Sequence, residues 1–322
     1  MRPTQRMLRI LFWESTIRCN LACAHCRRLE SNEACDADLS TAQAVSLIGQ
    51  LADLGRCQPQ MPVLVFSGGE PLCREDLFEL VGHARDQGLH VALATNGTLI
   101  DAAKAQQIRD SGIARVSISL DGATAEMHDW LRQIPGSFDE AIRGIGYLRD
   151  CGVPFQINVT VTKHNAGQMR QVYDLARSLG AVFMLVPVGC GRTLAETEVL
   201  SPEGYEGVMR QIAALEQAGQ IQIKVTCGPH YERIKRELGL KPPSGTGHGH
   251  TPGAARHGGS TRGCLAGLGV LFVSHRGEVY PCGYLPVDCC NILRSSLTEI
   301  WNTSEDLARM RERAQLTGKI GR

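Results

Sequence analysis

Six short, largely β-branched runs, each followed by an amphipathic stretch, confine this chain to an α/β fold with a parallel sheet. The runs are LRILFW (8–13), PVLVF (62–66), LHVALAT (89–95), ARVSISL (114–120), PFQINVTVT (154–162) and AVFMLVPV (181–188). After the first, LSTAQAVSLIGQLADLG places apolar residues at 44, 45, 47, 48 and 51, the spacing of one helix face, and closes on Gly55. REDLFELVGHARDQG, DAAKAQQIRDSG, SFDEAIRGIGYLRDCG and AGQMRQVYDLARSLG repeat the form, each ending in glycine. Successive β-α units imply parallel strands joined by right-handed crossovers. Six units fall short of the eight that close a barrel, so the expected architecture is α/β, a partial (β/α)6 barrel of the TIM type. Residues 1–240 are expected to hold it, with a helix at 202–218, the strand IQIKVT and a helix near 229–239 at its flank. Residues 241–261, rich in Gly, Pro and His, read as a linker or loop, and 262–322 as a small cysteine-bearing region.

Chemistry in parallel α/β folds collects at the carboxyl ends of the strands. Strand one runs into CNLACAHC (19–26), strand two into SGGEP (67–71), strand three into TNGT (95–98), and strand four ends in SLDG (119–122). Cys19, Cys23 and Cys26 are spaced C-x3-C-x2-C. A closed structural zinc site takes four ligands and a disulfide takes two thiols. Three thiolates suit a [4Fe–4S] cluster in which one iron keeps an open position. A zinc site completed by His25 or a distant cysteine satisfies the triplet alone, but it has no use for SGGEP about forty residues on. Thirteen cysteines grouped in a chain of 322 residues point to metal or redox chemistry in a reducing cytoplasm, not to a disulfide scaffold. A net charge of +1 argues against a nucleic-acid partner. No apolar run approaches a membrane span, and MRPTQRMLRILFW reads as the first strand, not a signal peptide.

The cysteine triplet after strand one and the GGE-type motif after strand two resemble the radical S-adenosylmethionine (SAM) superfamily, over roughly residues 8 to 190. His25 stands where that family often carries an aromatic. The resemblance implies that Cys19, Cys23 and Cys26 hold a [4Fe–4S] cluster whose free iron chelates the amino and carboxylate groups of SAM. One electron, from a donor such as flavodoxin or ferredoxin, then cleaves SAM and releases a 5′-deoxyadenosyl radical that takes hydrogen from substrate. The residues it implies around SAM are His25, Gly68, Gly69, Glu70, Asn96, Ser119, Asp121 and Arg132. Gly68 and Gly69 would admit the methionine ammonium, Ser119 and Asp121 would bond ribose hydroxyls or the ammonium, and Arg132 would pair the methionine carboxylate. The plainer readings are a helix N-cap for Asp121 and a solvated charge for Arg132.

Near the C-terminus, Cys264, Gly277 and Cys282 form C-x12-G-x4-C. The pattern resembles the start of the SPASM or twitch extension, which implies that both cysteines ligate an auxiliary [4Fe–4S] cluster. Gly277 is expected to turn a hairpin that brings them together. No cysteine follows 290, so the extension is expected to be truncated. Either Cys289 and Cys290 complete the ligand set, or the cluster is absent or draws on chain outside this sequence. Adjacent cysteines are an awkward pair of ligands, which favours incompleteness, and two small buried cysteines are the other reading. For a chain ending at Arg322 the expectation is about four irons instead of about eight.

The runs FMLVPVGCGR (183–192), TCGPHYERI (226–234) and GCLAGLGVLFVSHRGEVYPCGYLPV (263–287) resemble the tetrapyrrole-modifying branch, nearest its AdoMet-dependent haem synthases. That implies a tetrapyrrole substrate and oxidative decarboxylation of two propionates of Fe-coproporphyrin III to vinyls, giving haem b. Relatives that deacetylate 12,18-didecarboxysiroheme, or that act in haem d1 formation, are the alternative. Arg192 could pair a propionate bidentately, and His230 could ligate the porphyrin iron or be a satisfied histidine near a helix start. A SPASM peptide maturase is the rival inside the superfamily, although no room is seen for its recognition domain. A non-catalytic iron–sulfur or zinc scaffold is the rival outside it.

Overall fold

The computed structural model describes residues 7–26, 38–187, 199–228, 230–240 and 264–312. Strands and helices alternate as β1 (Ile10–Thr16), α1 (Thr41–Arg56), β2 (Val63–Gly68), α2 (Leu77–Asp86), β3 (His90–Thr95), α3 (Ala102–Asp110) and β4 (Arg115–Ser119). Two helices then follow, α4 (Ala125–Arg132) and α5 (Ser137–Asp150), before β5 (Phe155–Asn158), α6 (Met169–Leu179) and β6 (Phe183–Pro187). Next come α7 (Pro202–Ala218), β7 (Gln222–Thr226), α8 (Tyr231–Glu237), the pair β8 (Val270–Val273) and β9 (Val279–Tyr280), then α9 (Leu297–Thr303) and α10 (Glu305–Arg311).

The strands form one sheet in the order β7-β6-β5-β4-β3-β2-β1-β8-β9. Every pairing is parallel except β8 with β9. The chain is thus a partial barrel of parallel β-α units. The C-terminal region adds β8 beside β1, with Ile10 opposite Val270 and Trp13 opposite Val273.

Helix ends follow local chemistry. Ser40 and Gln43 form a capping box at the start of α1, Ser40 Oγ accepting from Gln43 N–H and Gln43 Oε1 accepting from Ser40 N–H. Gly180 closes α6 in the left-handed conformation, as a C-terminal glycine should. Gly55 departs from this expectation. It lies inside the last turn of α1, where a Cβ would stand 2.7 Å from Pro62 Cδ, so close packing explains it and Cys57 is the C-cap. Helix α4 is implied in the sequence only by the plain reading of Asp121 as an N-cap. Thr124 caps it and it stops at Gln133, a non-glycine residue at φ 61°.

Among the described residues the helices pack on one face of the sheet. Leu11, Trp13, Leu64, Phe66, Val91, Leu93, Val116, Ile118, Phe155 and Ile157 pack there in one core, each side chain contributing about 2 kcal/mol by burial. On the other face Phe12, Ser67, Ala92, Ala94, Ser117, Ser119 and Asn158 remain half-buried although they lie in or at the ends of paired strands. Parallel strands covered on both sides read as unbroken apolar runs. RVSIS and FQIN alternate instead, because no described helix packs on their second face.

Candidate functional site

Strand β1 delivers the chain to Cys19, Cys23 and Cys26, and Asp38 bonds back to the end of β1. Thr16 Oγ1 donates to Asp38 Oδ2 at 2.6 Å and Ile17 N–H donates to Oδ1 at 2.9 Å. The carboxyl end of β3 holds the loop's flank. Asn96 Nδ2 donates to Asn20 Oδ1 at 2.9 Å and lies 4.0 Å from Cys19 Sγ, while Asn20 Nδ2 donates to Thr98 Oγ1 at 2.8 Å. Leu21 N–H donates to Cys19 Sγ at 3.4 Å, and Ala24 N–H donates to the Leu131 carbonyl of α4 at 2.8 Å. Asp38 and Asn20 carry no motif signal in the sequence; their roles exist only once distant strand ends meet.

Gly68 and Gly69 fit against the same segment. Gly69 N–H donates to Thr16 O at 2.8 Å and Glu70 N–H donates to Arg18 O at 2.7 Å. A Cβ on Gly68 would lie 2.4 Å from Thr16 O, and one on Gly69 would lie 2.2 Å from Arg18 O. The close approach that these glycines permit is therefore to the backbone entering Cys19. Glu70 is fully buried; its carboxylate accepts from Leu72 N–H (3.1 Å), Thr95 Oγ1 (2.8 Å) and Asn96 N–H (2.7 Å). Burial pushes its pKa up against the pull of those donors. Glu70 thus ties the end of β2 to the end of β3.

Asp121, just beyond β4, is a hub. Its Oδ1 accepts from Thr160 N–H at 2.8 Å, and its Oδ2 lies 2.6 Å from Arg132 Nη2 and 3.4 Å from His25 Nε2. Neither plain reading survives: Thr124, not Asp121, caps α4, and Arg132 is buried. Arg132 also places Nη1 3.5 Å from Cys23 Sγ. Burial raises the Asp121 pKa, but Arg132, His25, His128 and the Thr160 N–H together hold it below the usual carboxylate value. Burial pushes the Cys23 thiol up and the His25 imidazole down.

His128 completes the hub, its Nδ1 accepting from Asp121 N–H at 3.2 Å. Burial, then Arg132, lowers its pKa from 6.5 to about 4. The unfolded chain therefore binds a proton between these values that the native state refuses. This stability is fully present above pH 6.5 and is lost as pH falls towards 4. By pH 5 the loss from this group is about 2 kcal/mol. His128→Asn keeps an acceptor for Asp121 N–H and removes the titration. Urea unfolding at pH 7 and pH 5 is expected to show the wild type losing about 2 kcal/mol more than the variant; equal losses would refute the assignment.

Three thiols on one short loop are the donor set of a [4Fe–4S] cluster with one open iron. Buried His25 Nδ1 and Arg132 Nε, both without a hydrogen-bond partner among the described residues, leave polar capacity beside it for a ligand. The residues present fit that group and SAM. Among the described residues no three His, Cys, Asp or Glu side chains converge as for a single metal ion, and His25 turns Nε2 to Asp121. Ser119 lies on the open face, opposite Asn158 in the β4–β5 ladder, with Gln156 donating to Asn158 at 2.9 Å. Gln156 and Asn158 were legible only as alternation in the fifth strand. His230 begins α8 beyond β7 and meets Tyr205 edge-on, at the far end of the sheet from β8. Arg192 and the 241–261 segment lie outside the described residues.

The β8–β9 hairpin turns at Gly277, φ 88°, and brings Gly267 N–H to Pro281 O at 3.2 Å, so Cys264 and Cys282 flank its open end. Arg9 N–H donates to Gly269 O at 2.9 Å, which puts that end at the amino end of β1. Seven residues of β1 separate its level from the cysteine loop, a rise of about 20 Å. Cys289 and Cys290 lie against the middle of the hairpin. Val279 N–H donates to Cys290 O at 2.8 Å and Cys289 N–H donates to Val279 O at 2.9 Å. Cys289 is buried in the core, which raises its thiol pKa. No described helix is long and apolar enough to cross a membrane.

Family models match two segments: the Radical SAM superfamily over residues 13–176, and SPASM, an iron–sulfur cluster-binding domain, over 264–319. The chain is 40% identical over 317 residues to the AdoMet-dependent heme synthase of Nitratidesulfovibrio vulgaris, covering 97% of this chain and 84% of that one. It is 41% identical over 319 residues to the AdoMet-dependent heme synthase of Methanosarcina barkeri, covering 97% and 87%. Among solved structures, Streptococcus suis SuiB bound to S-adenosylmethionine superposes with a TM-score of 0.73 at 15% identity, over 95% of this chain and 68% of that one.

Proposed function

We propose, for a chain that belongs to the radical SAM superfamily and carries a SPASM domain, the oxidative decarboxylation of two propionates of Fe-coproporphyrin III to vinyls. The substrate class rests on the likeness to heme synthases along nearly the whole chain. The site reading rests on one observation: the locked cysteine loop stands at the rim of an open, polar-lined sheet face. A [4Fe–4S] cluster held there, with SAM bound, would supply a 5′-deoxyadenosyl radical able to remove one hydrogen atom.

Cys19, Cys23 and Cys26 would hold the cluster. Asn96, Asn20 and Asp38 keep the loop in register with the strand ends. Ser119, Gln156 and Asn158 would face the substrate with hydroxyl and amide groups. Each –CH2–CH2–COO⁻ loses one hydrogen atom, then CO2 and one electron, and leaves –CH=CH2. That electron needs an acceptor; Cys264 and Cys282 would supply two of the ligands of an auxiliary cluster suited to one-electron transfer, the rest coming from outside the described residues. A flavodoxin or ferredoxin is the proposed donor for SAM cleavage, and Arg192 the proposed partner of a propionate.

Fe-coproporphyrin III carrying deuterium on the propionate β-carbons tests the reading, with didecarboxysiroheme as the competing substrate. The anaerobically reconstituted protein is expected to move deuterium into 5′-deoxyadenosine and to leave didecarboxysiroheme unchanged.

A further inference from the structure

We infer that Arg132 is a positioning residue for the cluster itself: it presses a positive charge and an N–H donor against the Cys23 corner and so raises that centre's reduction potential. The inference rests on the reading that Cys19, Cys23 and Cys26 hold a [4Fe–4S] cluster.

The guanidinium lies between two partners. Nη2 is 2.6 Å from Asp121 Oδ2, and Nη1 donates to Cys23 Sγ at 3.5 Å. Asp121 cannot follow if Arg132 moves. Its carboxylate accepts from Thr160 N–H, its carbonyl accepts from Asn165 Nδ2 at 2.8 Å, and its N–H is held by His128 Nδ1. The helix end bearing Arg132 is fixed to the loop as well, through Ala24 N–H on Leu131 O. Arg132 is only 7% exposed, so water does little to screen the contact.

Reduction adds negative charge to an iron–sulfur cluster, and net charge together with hydrogen bonds to its sulfurs sets its potential. A cation donating to Cys23 Sγ stabilises the reduced form. Asp121 opposes this from the other side of the guanidinium, yet of the two it is Arg132 that reaches the sulfur. Lysine cannot replace the fork, because one ammonium on a flexible stem does not hold both partners in one plane.

The test is an EPR-monitored redox titration of the SAM-responsive cluster in the reconstituted full chain, for wild type, Arg132→Lys and Arg132→Gln. Iron and sulfide content are measured on each sample. The midpoint potential is expected to fall in both variants, further in Arg132→Gln, by more than the scatter of replicate titrations. If Arg132→Gln fails to assemble a cluster, the fall in Arg132→Lys decides. Equal potentials in all assembled forms would overturn the inference. So would failure of Arg132→Lys to assemble at all, since the residue would then be structural. A wild-type chain with no SAM-responsive cluster would instead defeat the reading on which the inference stands.

Discussion

Replacing Cys19, Cys23 or Cys26 with alanine is expected to reduce 5′-deoxyadenosine formation to the level of a protein-free control. A cubane is normally held by four cysteine thiolates, and the proposed site already leaves one iron to SAM. Losing a further thiolate leaves two, too few to fix the cluster against the loop. The fold is expected to survive. Cys19 and Cys26 are only half-buried, and the small Cys23 side chain lies in a loop outside the main core, so truncation costs about 1 kcal/mol. Cys57→Ala is the control, because Cys57 is an exposed helix cap remote from the loop in sequence. Iron content, 5′-deoxyadenosine yield and thermal melting should separate the two classes. Full SAM cleavage in any of the three variants would show that the radical arises elsewhere.

Gly69→Ala is expected to be among the most damaging single changes in the chain. The added carbon would lie 2.2 Å from Arg18 O and 2.6 Å from Ile17 O, both of them backbone atoms. Neither side can yield cheaply, since Gly69 N–H and Glu70 N–H bond to Thr16 O and Arg18 O. A destabilisation beyond about 4 kcal/mol is expected, together with loss of cluster loading, because the displaced segment leads directly into Cys19. Gly82→Ala provides the contrast. Gly82 lies inside α2 with nothing within 4 Å of its Cβ position, so alanine there should stabilise by roughly 1 kcal/mol. Urea midpoints and iron content read both. A Gly69→Ala protein with wild-type iron and midpoint would mean that the two segments are not in contact.

The sequence reading located the strands and most helices because their signals are local. Period and glycine ends placed α2, α3, α5 and α6, and the cysteine triplet and GGE motif fell at the ends of β1 and β2 as expected. What it missed depends on contacts between distant segments. Arg132 meets Cys23 across 109 positions, and β8 joins β1 across some 260, and no spacing encodes either. The glycines of SGGEP also make room for the chain before Cys19, a close approach that the motif does not encode. The bounds of helix α4 escaped because it is short and ends on Gln133 where glycine would have marked the stop. Cys289 and Cys290 pair with Val279 of the hairpin, a contact that their spacing does not encode.

Deuterium transfer tests the central claim most directly, because it joins the cysteine loop to a substrate carbon in one reading. With Fe-coproporphyrin III deuterated at the propionate β-carbons, one deuterium per propionate should appear in 5′-deoxyadenosine. The macrocycle should lose CO2 twice and gain two vinyl groups, and Cys264→Ala with Cys282→Ala should cut vinyl yield more than SAM cleavage. Unlabelled 5′-deoxyadenosine beside an unchanged macrocycle would contradict the account. So would acetate loss from didecarboxysiroheme by a protein that leaves Fe-coproporphyrin III intact.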